Sequence, residues 1–381
     1  MPTNILFITF GDFRTPTDGG SKFTNEIVSM LRQTSKKVEI LNYYDHAPSN
    51  SKTIRKILSI FISLFLRLPL PASYFYSRSL INSARKKILD ELSKSAPQQR
   101  RISIFVDHLE LCYITSSLRL EFGDEIEIAH ISHNIEPSLL KQRLGEGLAY
   151  KYSQLCCDYS KFEKKSLYYV DTIFSISDEE KHHFSKLNPT SSLGSPIKAI
   201  TIPPTFSYLP LHKSTNETPY KKIVFVASFD WWPNQQAFQW IRDYLSPSLP
   251  TGFKIHIYGK NSTKFSAGAP ENLVFHGYVD NILEVWDDCF FSVAPITRGA
   301  GVNIKVSESL HNRVPVIGSE LSFKGISKDY LGGTLKLELD VEAWINALEF
   351  YSSNPSEYEK LKRAISYPSR EKILDKLRIT P

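Results

Sequence analysis

The sequence has no cysteine pair with metal-binding or redox spacing. Its four cysteines are Cys112, Cys156, Cys157 and Cys289, and none forms C-x-x-C. Adjacent Cys156 and Cys157 make poor disulfide partners. A zinc module and a disulfide-stapled secreted domain are therefore not expected. Four reduced thiols in a cytoplasmic protein are. Long apolar runs are also missing. The longest, ILSIFISLFL at 57–66, has ten residues, against about 20 for a membrane span. The opening MPTNILFITFGDF has no basic segment before an apolar core, so no secretory leader is expected. Neither G-x-x-x-x-G-K-[ST] nor G-x-S-x-G occurs, so a P-loop and a nucleophile elbow lack their motifs. Charge of one sign is scarce: 46 Lys and Arg face 40 Asp and Glu, a net charge of +6. With no basic stripe interleaved with aromatics, nucleic acid is not an expected partner. The mild excess suits an anionic substrate or an anionic membrane surface equally.

What is present is an alternation of apolar runs and helical patterns. At 381 residues, 41% hydrophobic and 23% charged, the chain is long enough for two domains that each bury a core. Asn4–Phe10 is a dense apolar run of the kind a parallel sheet buries on both faces. A loop with Gly19 and Gly20 and a helical pattern from Ser21 follow. Strands are then predicted at Lys37–Leu41, Ile102–Asp107, Glu127–Ser132, Thr172–Ile176 and Ala199–Ile202, with a long helix over Tyr150–Tyr169. This order opens a doubly wound fold. Residues 204–220 contain repeated prolines and little periodicity, which marks a linker. A second series follows at Lys222–Ala227, Lys254–Tyr258, Leu273–His276, Phe290–Ala294 and Val314–Gly318. The expected class is α/β, with two Rossmann-like doubly wound domains facing each other across a cleft. They occupy 1–203 and 221–354, and a helical segment at 355–381 is expected to cross back to the first domain.

Five features of the second half carry chemistry together. Ser228-Phe229-Asp230-Trp231-Trp232-Pro233-Asn234 follows a strand. Pro233 suits a first helical turn, and Asp230 or Asn234 suits its cap. Tyr258-Gly259-Lys260 ends the next strand, where a glycine lets a ligand approach the backbone. His276-Gly277-Tyr278-Val279-Asp280 ends another. Pro295–Leu310 (PITRGAGVNIKVSESL) reads as a strand end, a glycine loop and a helix. Free N–H groups at such a helix start make an anion site. Gly299 and Gly301 keep the approach clear. Lys305 can neutralise a phosphate, and Glu308, about one turn on, can accept two hydrogen bonds from ribose hydroxyls. The plain alternative is a surface ion pair between Lys305 and Glu308. Asn312–Gly318 closes the series as a helix end and a buried strand.

In order and spacing, these segments resemble the group 1 (family 4) retaining glycosyltransferases of the two-Rossmann-domain class, GT-B. The D-W-x-P-N stretch and the G-x-G-V-x-x-K-x-x-E stretch carry the likeness, over about 100 residues. The resemblance implies that Lys305 contacts the donor diphosphate and Glu308 holds the ribose. Ser228, Asp230, Asn234, Gly259, Val279, Arg298, Gly299, Gly301, Val302, Asn303 and Ser309 line the donor, with Gly19 and Gly20 beneath its phosphates. It also implies that His133 faces the reaction centre, where an imidazole can bond the sugar or handle the acceptor proton. Many such enzymes have a second glutamate where Ala300 stands, so the transferred sugar is open. His130 reads as a core histidine. Asp107 and His108, at a strand end, are candidates for the acceptor.

The implied activity is hexosyl-type transfer from a nucleotide sugar to a saccharide or lipid-linked saccharide, with retention, in surface polysaccharide or lipopolysaccharide assembly. No D-x-D triplet is present, and no metal or other cofactor is expected beyond the nucleotide-sugar co-substrate. A nucleotide-sugar epimerase of similar fold and a non-catalytic nucleotide-sugar-binding scaffold are the alternatives. Residues 52–67 join Lys52, Arg55, Lys56 and Arg67 to the ten-residue apolar run. They read equally as a buried helix or as a segment touching the inner face of a membrane.

Overall fold

The dense apolar runs become strands because parallel sheets are covered on both faces. A computed structural model describes residues 4–11, 18–35, 37–47, 52–94, 101–145, 147–154, 157–208, 221–299 and 301–377. The chain divides into two units. The first comprises Met1–Arg14, Thr24–Ile202 and Ile373–Pro381, and the second Thr15–Phe23 and Pro203–Lys372.

In the first unit the strands are β1 (Asn4–Thr9), β2 (Lys37–Asn42), β3 (Ile102–Asp107), β4 (Ile126–Ile131), β5 (Thr172–Ser175) and β6 (Lys198–Thr201). They form one sheet in the order β2-β1-β3-β4-β5-β6. Every pairing is parallel. In the second unit β7 (Lys221–Val226), β8 (Phe253–Tyr258), β9 (Leu273–Gly277), β10 (Cys289–Ala294), β11 (Val316–Gly318) and β12 (Thr334–Lys336) follow the order β12-β11-β10-β7-β8-β9, again parallel. In both sheets the order reverses beside the first strand, β1 or β7. Such a switch point leaves a crevice at the strands' carboxyl ends.

The central strands are buried along their length. Phe7, Ile104, Phe105 and Ile128 have no exposed surface in the first sheet, nor do Ile223, Phe225, Ile255 and Phe291 in the second. The predicted helix at Tyr150–Tyr169 is two helices, Leu148–Ser153 and Tyr159–Leu167. Asp158 starts the second by accepting a hydrogen bond from the Lys161 N–H, a cap that interrupts the pattern. Cys112, Cys157 and Cys289 are free thiols. Cys156, Ala300 and linker residues 209–220 lie outside the described residues.

The helix Lys52–Leu66 is not buried. Ser59 and Ser63 are its only buried residues, while Phe61, Leu64 and Phe65 are exposed. No helix among the described residues is long and apolar enough to cross a membrane.

Candidate functional site

In the first unit, β3 and β4 end side by side and deliver Asp107 and, two residues past β4, His133. Asp107 is wholly buried. Its Oδ1 lies 2.6 Å from His133 Nε2. Its Oδ2 accepts hydrogen bonds from the Thr9 hydroxyl at 2.6 Å and the Thr24 hydroxyl at 3.0 Å. His108 adopts a left-handed backbone, with φ 67°. Its ring stacks on His133 at 3.9 Å and on Phe10 at 4.2 Å.

Burial alone would raise the Asp107 pKa, but His108, His133 and the donated hydrogen bonds hold this carboxyl well below the usual range. Burial pushes the His108 pKa down to about 3. For His133 burial favours the neutral ring, yet the Asp107 charge and hydrogen bond outweigh it and raise the pKa. The two stacked imidazoles are thus split into a neutral ring and a readily protonated one. His130 is a core residue, bonded to the Val106 carbonyl at 3.0 Å.

Asp107 is not free for an acceptor, the place its strand-end position suggests. Its oxygens are taken by His133, Thr9 and Thr24, so Asp107 orients a histidine and exposes no surface to a ligand. Asp107, His108 and His133 offer ligand atoms within 4.8 Å of one another, a spacing that also suits a metal. The rings lie face to face, 8° from parallel.

In the second unit the ends of β7, β8 and β9 are laced together. The Ala227 N–H donates to the Tyr258 carbonyl, and the Gly259 N–H to the Gly277 carbonyl at 2.7 Å. Gly259 is needed for this contact. At φ 123°, a Cβ there would stand 1.9 Å from the Ala227 carbonyl oxygen. Its conformation serves backbone packing. Val279 packs against the cluster of Val224, Tyr258, Val285, Trp286 and Val314.

The helix Trp232–Trp240 has Pro233 in its first turn as expected, but no side chain caps it. Asp230 instead pairs with Lys260 at 3.0 Å and accepts from Asn261. Asn234 is buried; its amide donates to the Ser228 carbonyl at 2.8 Å, and its Oδ1 accepts from Lys305 Nζ.

The glycine loop behaves differently. Gly299 has φ 137°, with no atom within 4 Å of a Cβ built on it, and Gly301 has φ 82°. Val302 and Asn303 lead into the helix Ile304–His311. Asn303 does not cap that helix through its side chain. Its amide donates to the Leu321 and Ser322 carbonyls at 3.2 and 3.1 Å, tying the loop down. The first N–H groups of the helix, including those of Ile304 and Lys305, have no intrahelical acceptor. Arg298 is exposed, with its guanidinium 5.9 Å from the Trp232 ring centre.

Lys305 and Glu308 do not pair with each other. Lys305 Nζ lies 5.5 Å from the Phe225 ring centre and donates to Asn234. Burial is the sole cause shifting its pKa, down to about 7. Glu308 is 2% exposed, and both its oxygens accept from Lys22 Nζ at 2.9 Å. Tyr208 adds a hydroxyl hydrogen bond at 3.2 Å. Gly19 opens the helix Gly19–Thr34 and sits where a Cβ would meet Ile304 at 2.9 Å, so the absence of a side chain lets this helix start close on Ile304. Ser309 lies on the buried side, donating to the Val314 carbonyl at 3.0 Å.

No sequence pattern marks Lys22, Thr9, Thr24 or Tyr208 as a site residue. Lys22 follows the Gly-Gly pair by two positions. Its role depends on a carboxylate 286 residues away, which no local pattern reveals.

Residues 220–354 match the family described as "Glycosyl transferases group 1". No curated protein matches the sequence. Solved structures are similar over nearly the whole chain. Sucrose-phosphate synthase from Thermosynechococcus elongatus is 13% identical, with TM-score 0.59, covering 98% of this chain and 94% of its own. Anabaena HepE in complex with UDP-glucose is 10% identical, with TM-score 0.59 and 98% of each chain covered. WaaG, a glycosyltransferase involved in lipopolysaccharide biosynthesis, is 12% identical, with TM-score 0.59, covering 99% of this chain and 100% of its own. Residues 220–354 therefore match a group 1 glycosyltransferase domain, in a chain whose two parallel-sheet units have the GT-B fold.

Proposed function

We propose that the protein transfers a hexosyl group from a nucleotide sugar to a saccharide or lipid-linked saccharide, with retention at the anomeric carbon. The observation that carries this reading is Lys305. Its ammonium is pushed toward neutrality by burial, with no counter-charge contributing, beside a glycine loop and a helix start whose first two N–H groups, those of Ile304 and Lys305, have no intrahelical acceptor. A diphosphate supplies the missing charge. As the sugar leaves, negative charge grows on that diphosphate, and fixed donors there stabilise the transition state.

Glu308 accepts the ribose hydroxyls, with Lys22 giving way or sharing its oxygens. Gly299, Gly301, Val302 and Asn303 supply backbone to the phosphates, and Arg298 adds charge near them. His133, oriented by Asp107, bonds the sugar or handles the acceptor proton, and His108 shapes the acceptor side. The reaction needs no metal, because Lys305 and the N–H groups do the neutralising. The UDP-glucose complex of HepE makes UDP-sugars the first donors to try. WaaG's role supports a place in surface polysaccharide or lipopolysaccharide assembly, and a lipid-linked acceptor would put the enzyme at the cytoplasmic face of a membrane.

The test is incubation with a panel of nucleotide sugars and saccharide acceptors in EDTA, read by proton NMR of the anomeric signals. A new glycoside with the donor's anomeric configuration is expected. The opposite configuration contradicts retention. An epimerised donor would point to an epimerase, and donor binding without turnover to a scaffold.

A further inference from the structure

The helix Lys52–Leu66 is turned inside out. Its large apolar residues Ile54, Ile57, Leu58, Phe61, Leu64 and Phe65 recur at spacings of three and four, which puts them on one face. That face points to solvent: Ile57 is 53% exposed, Phe61 54%, Leu64 58% and Phe65 83%. The opposite face carries Arg55, Ser59 and Ser63. Ser63 closes the turn after the helix, and Arg55 ties the helix to the rest of the unit. Ser63 donates to the Leu68 carbonyl at 2.6 Å, and the Arg55 guanidinium lies 5.8 and 6.0 Å from the rings of Tyr44 and Tyr74. An amphipathic helix on a water-facing surface buries its apolar side, so the reversed orientation needs a second apolar phase.

Charge identifies that phase. Lys52 and Lys56 at the helix start and Arg67 just past its end are exposed. Beside the last turn, Leu66, Arg67, Leu68, Tyr113, Lys161 and Lys165 line a concave site of about 590 Å³. The stripe thus ends in a hollow that carries three cations against one carboxylate, Asp158, and is net positive. Apolar side chains flanked by Lys and Arg are the pattern of a helix lying in the headgroup region of an anionic bilayer.

We propose that this helix seats the first unit in the interface of an anionic bilayer, with a lipid phosphate headgroup drawn into the Arg67–Lys161–Lys165 hollow. The proposal stands on this unit alone and does not depend on the transferase reading.

The test is co-sedimentation of the full chain with vesicles of phosphatidylcholine, with and without phosphatidylglycerol. The wild type is expected to bind the anionic vesicles and to bind the zwitterionic ones far more weakly. Leu64→Ser/Phe65→Ser removes exposed side chains only, so its circular dichroism should match the wild type while its partition coefficient falls at least tenfold. Lys161→Ala/Lys165→Ala should lose binding to anionic vesicles severalfold, with phosphatidylcholine binding unchanged. Phe65→Trp should show a blue-shifted emission on adding anionic vesicles. The proposal is overturned by a wild type that stays in the supernatant, by serine variants that sediment as the wild type does, or by a Phe65→Trp emission that does not move. A dimer that dissociates on Leu64→Ser/Phe65→Ser, without vesicle binding, would overturn it too and make the stripe a contact between copies.

Discussion

Asp107 Oδ1 and His133 Nε2 stand 2.6 Å apart in a pocket where the carboxylate has no exposed surface. The pair sets the protonation of His133. Replacing the carboxylate by the neutral amide in Asp107→Asn removes the charge that raises the His133 pKa and leaves burial, which lowers it. The imidazole should then titrate at lower pH than in the wild type, measured by NMR of the ring protons. Transfer activity should fall about 10²-fold, the scale of a general acid–base contribution. An unchanged His133 titration in the folded variant would contradict the pairing.

The same pair gives pH dependence a sign at each end. His133 has a raised folded pKa, so its contribution to stability is fully present below about 6.5, the unfolded value, and is lost as pH rises through the folded one. Asp107 has a depressed folded pKa. Its contribution is present above about 3.9 and is lost as pH falls through the folded value. Melting curves of wild type and Asp107→Asn should therefore converge in strong acid and differ most between those limits.

Lys305 predicts a different profile. With its free-state pKa near 7, the ammonium is partly deprotonated in mildly alkaline solution. A bound diphosphate favours the charged form. Nucleoside diphosphate binding should take up protons in mildly alkaline buffer and weaken as pH rises through that pKa. Calorimetry in buffers of different ionisation enthalpy measures the uptake. Lys305→Met should abolish the proton linkage and the tight binding, yet melt no lower than wild type, because an uncompensated charge leaves the interior.

Glu308 without Lys22 is a buried carboxylate short of its main partner. Lys22→Ala should lower stability by about 1–3 kcal/mol, the cost of an unmet charged hydrogen bond, read by denaturant unfolding. A change within error would show that Tyr208 and solvent suffice.

Two glycines separate packing from function. Gly259→Ala drives a Cβ into the Ala227 carbonyl and should cost more than about 3 kcal/mol. Gly299→Ala meets no neighbour; it should cost about 1–2 kcal/mol of backbone strain while weakening nucleotide binding. Equal destabilisation by the two would contradict the distinction.

These contacts mark how far the sequence reaches. Strands such as β3 and β10 are legible because their runs are dense and buried on both faces. β12 is not, since Thr334–Lys336 is three residues at a sheet edge with a half-buried pattern. Lys305 and Glu308 stand out through their glycine loop and helical spacing. Their partners do not, because Asn234 and Lys22 lie 71 and 286 residues away. Asp230 fits a local cap motif, but Lys260 and Asn261, on the loop after β8, take its side chain instead. The reversed face of Lys52–Leu66 cannot be read from composition, which is the same whichever side meets the protein.

The central claim is that the second unit binds a nucleoside diphosphate through Lys305 and Glu308. Thermal shift of the wild type, Lys305→Ala and Glu308→Ala against UDP, GDP, ADP and their sugars tests it most directly, because ligand bound to the native state raises the melting temperature by mass action. The account predicts a shift for one nucleotide series in the wild type and its loss in both variants. A well-folded wild type with no shift for any nucleotide, or variants that shift as much as the wild type, would contradict it.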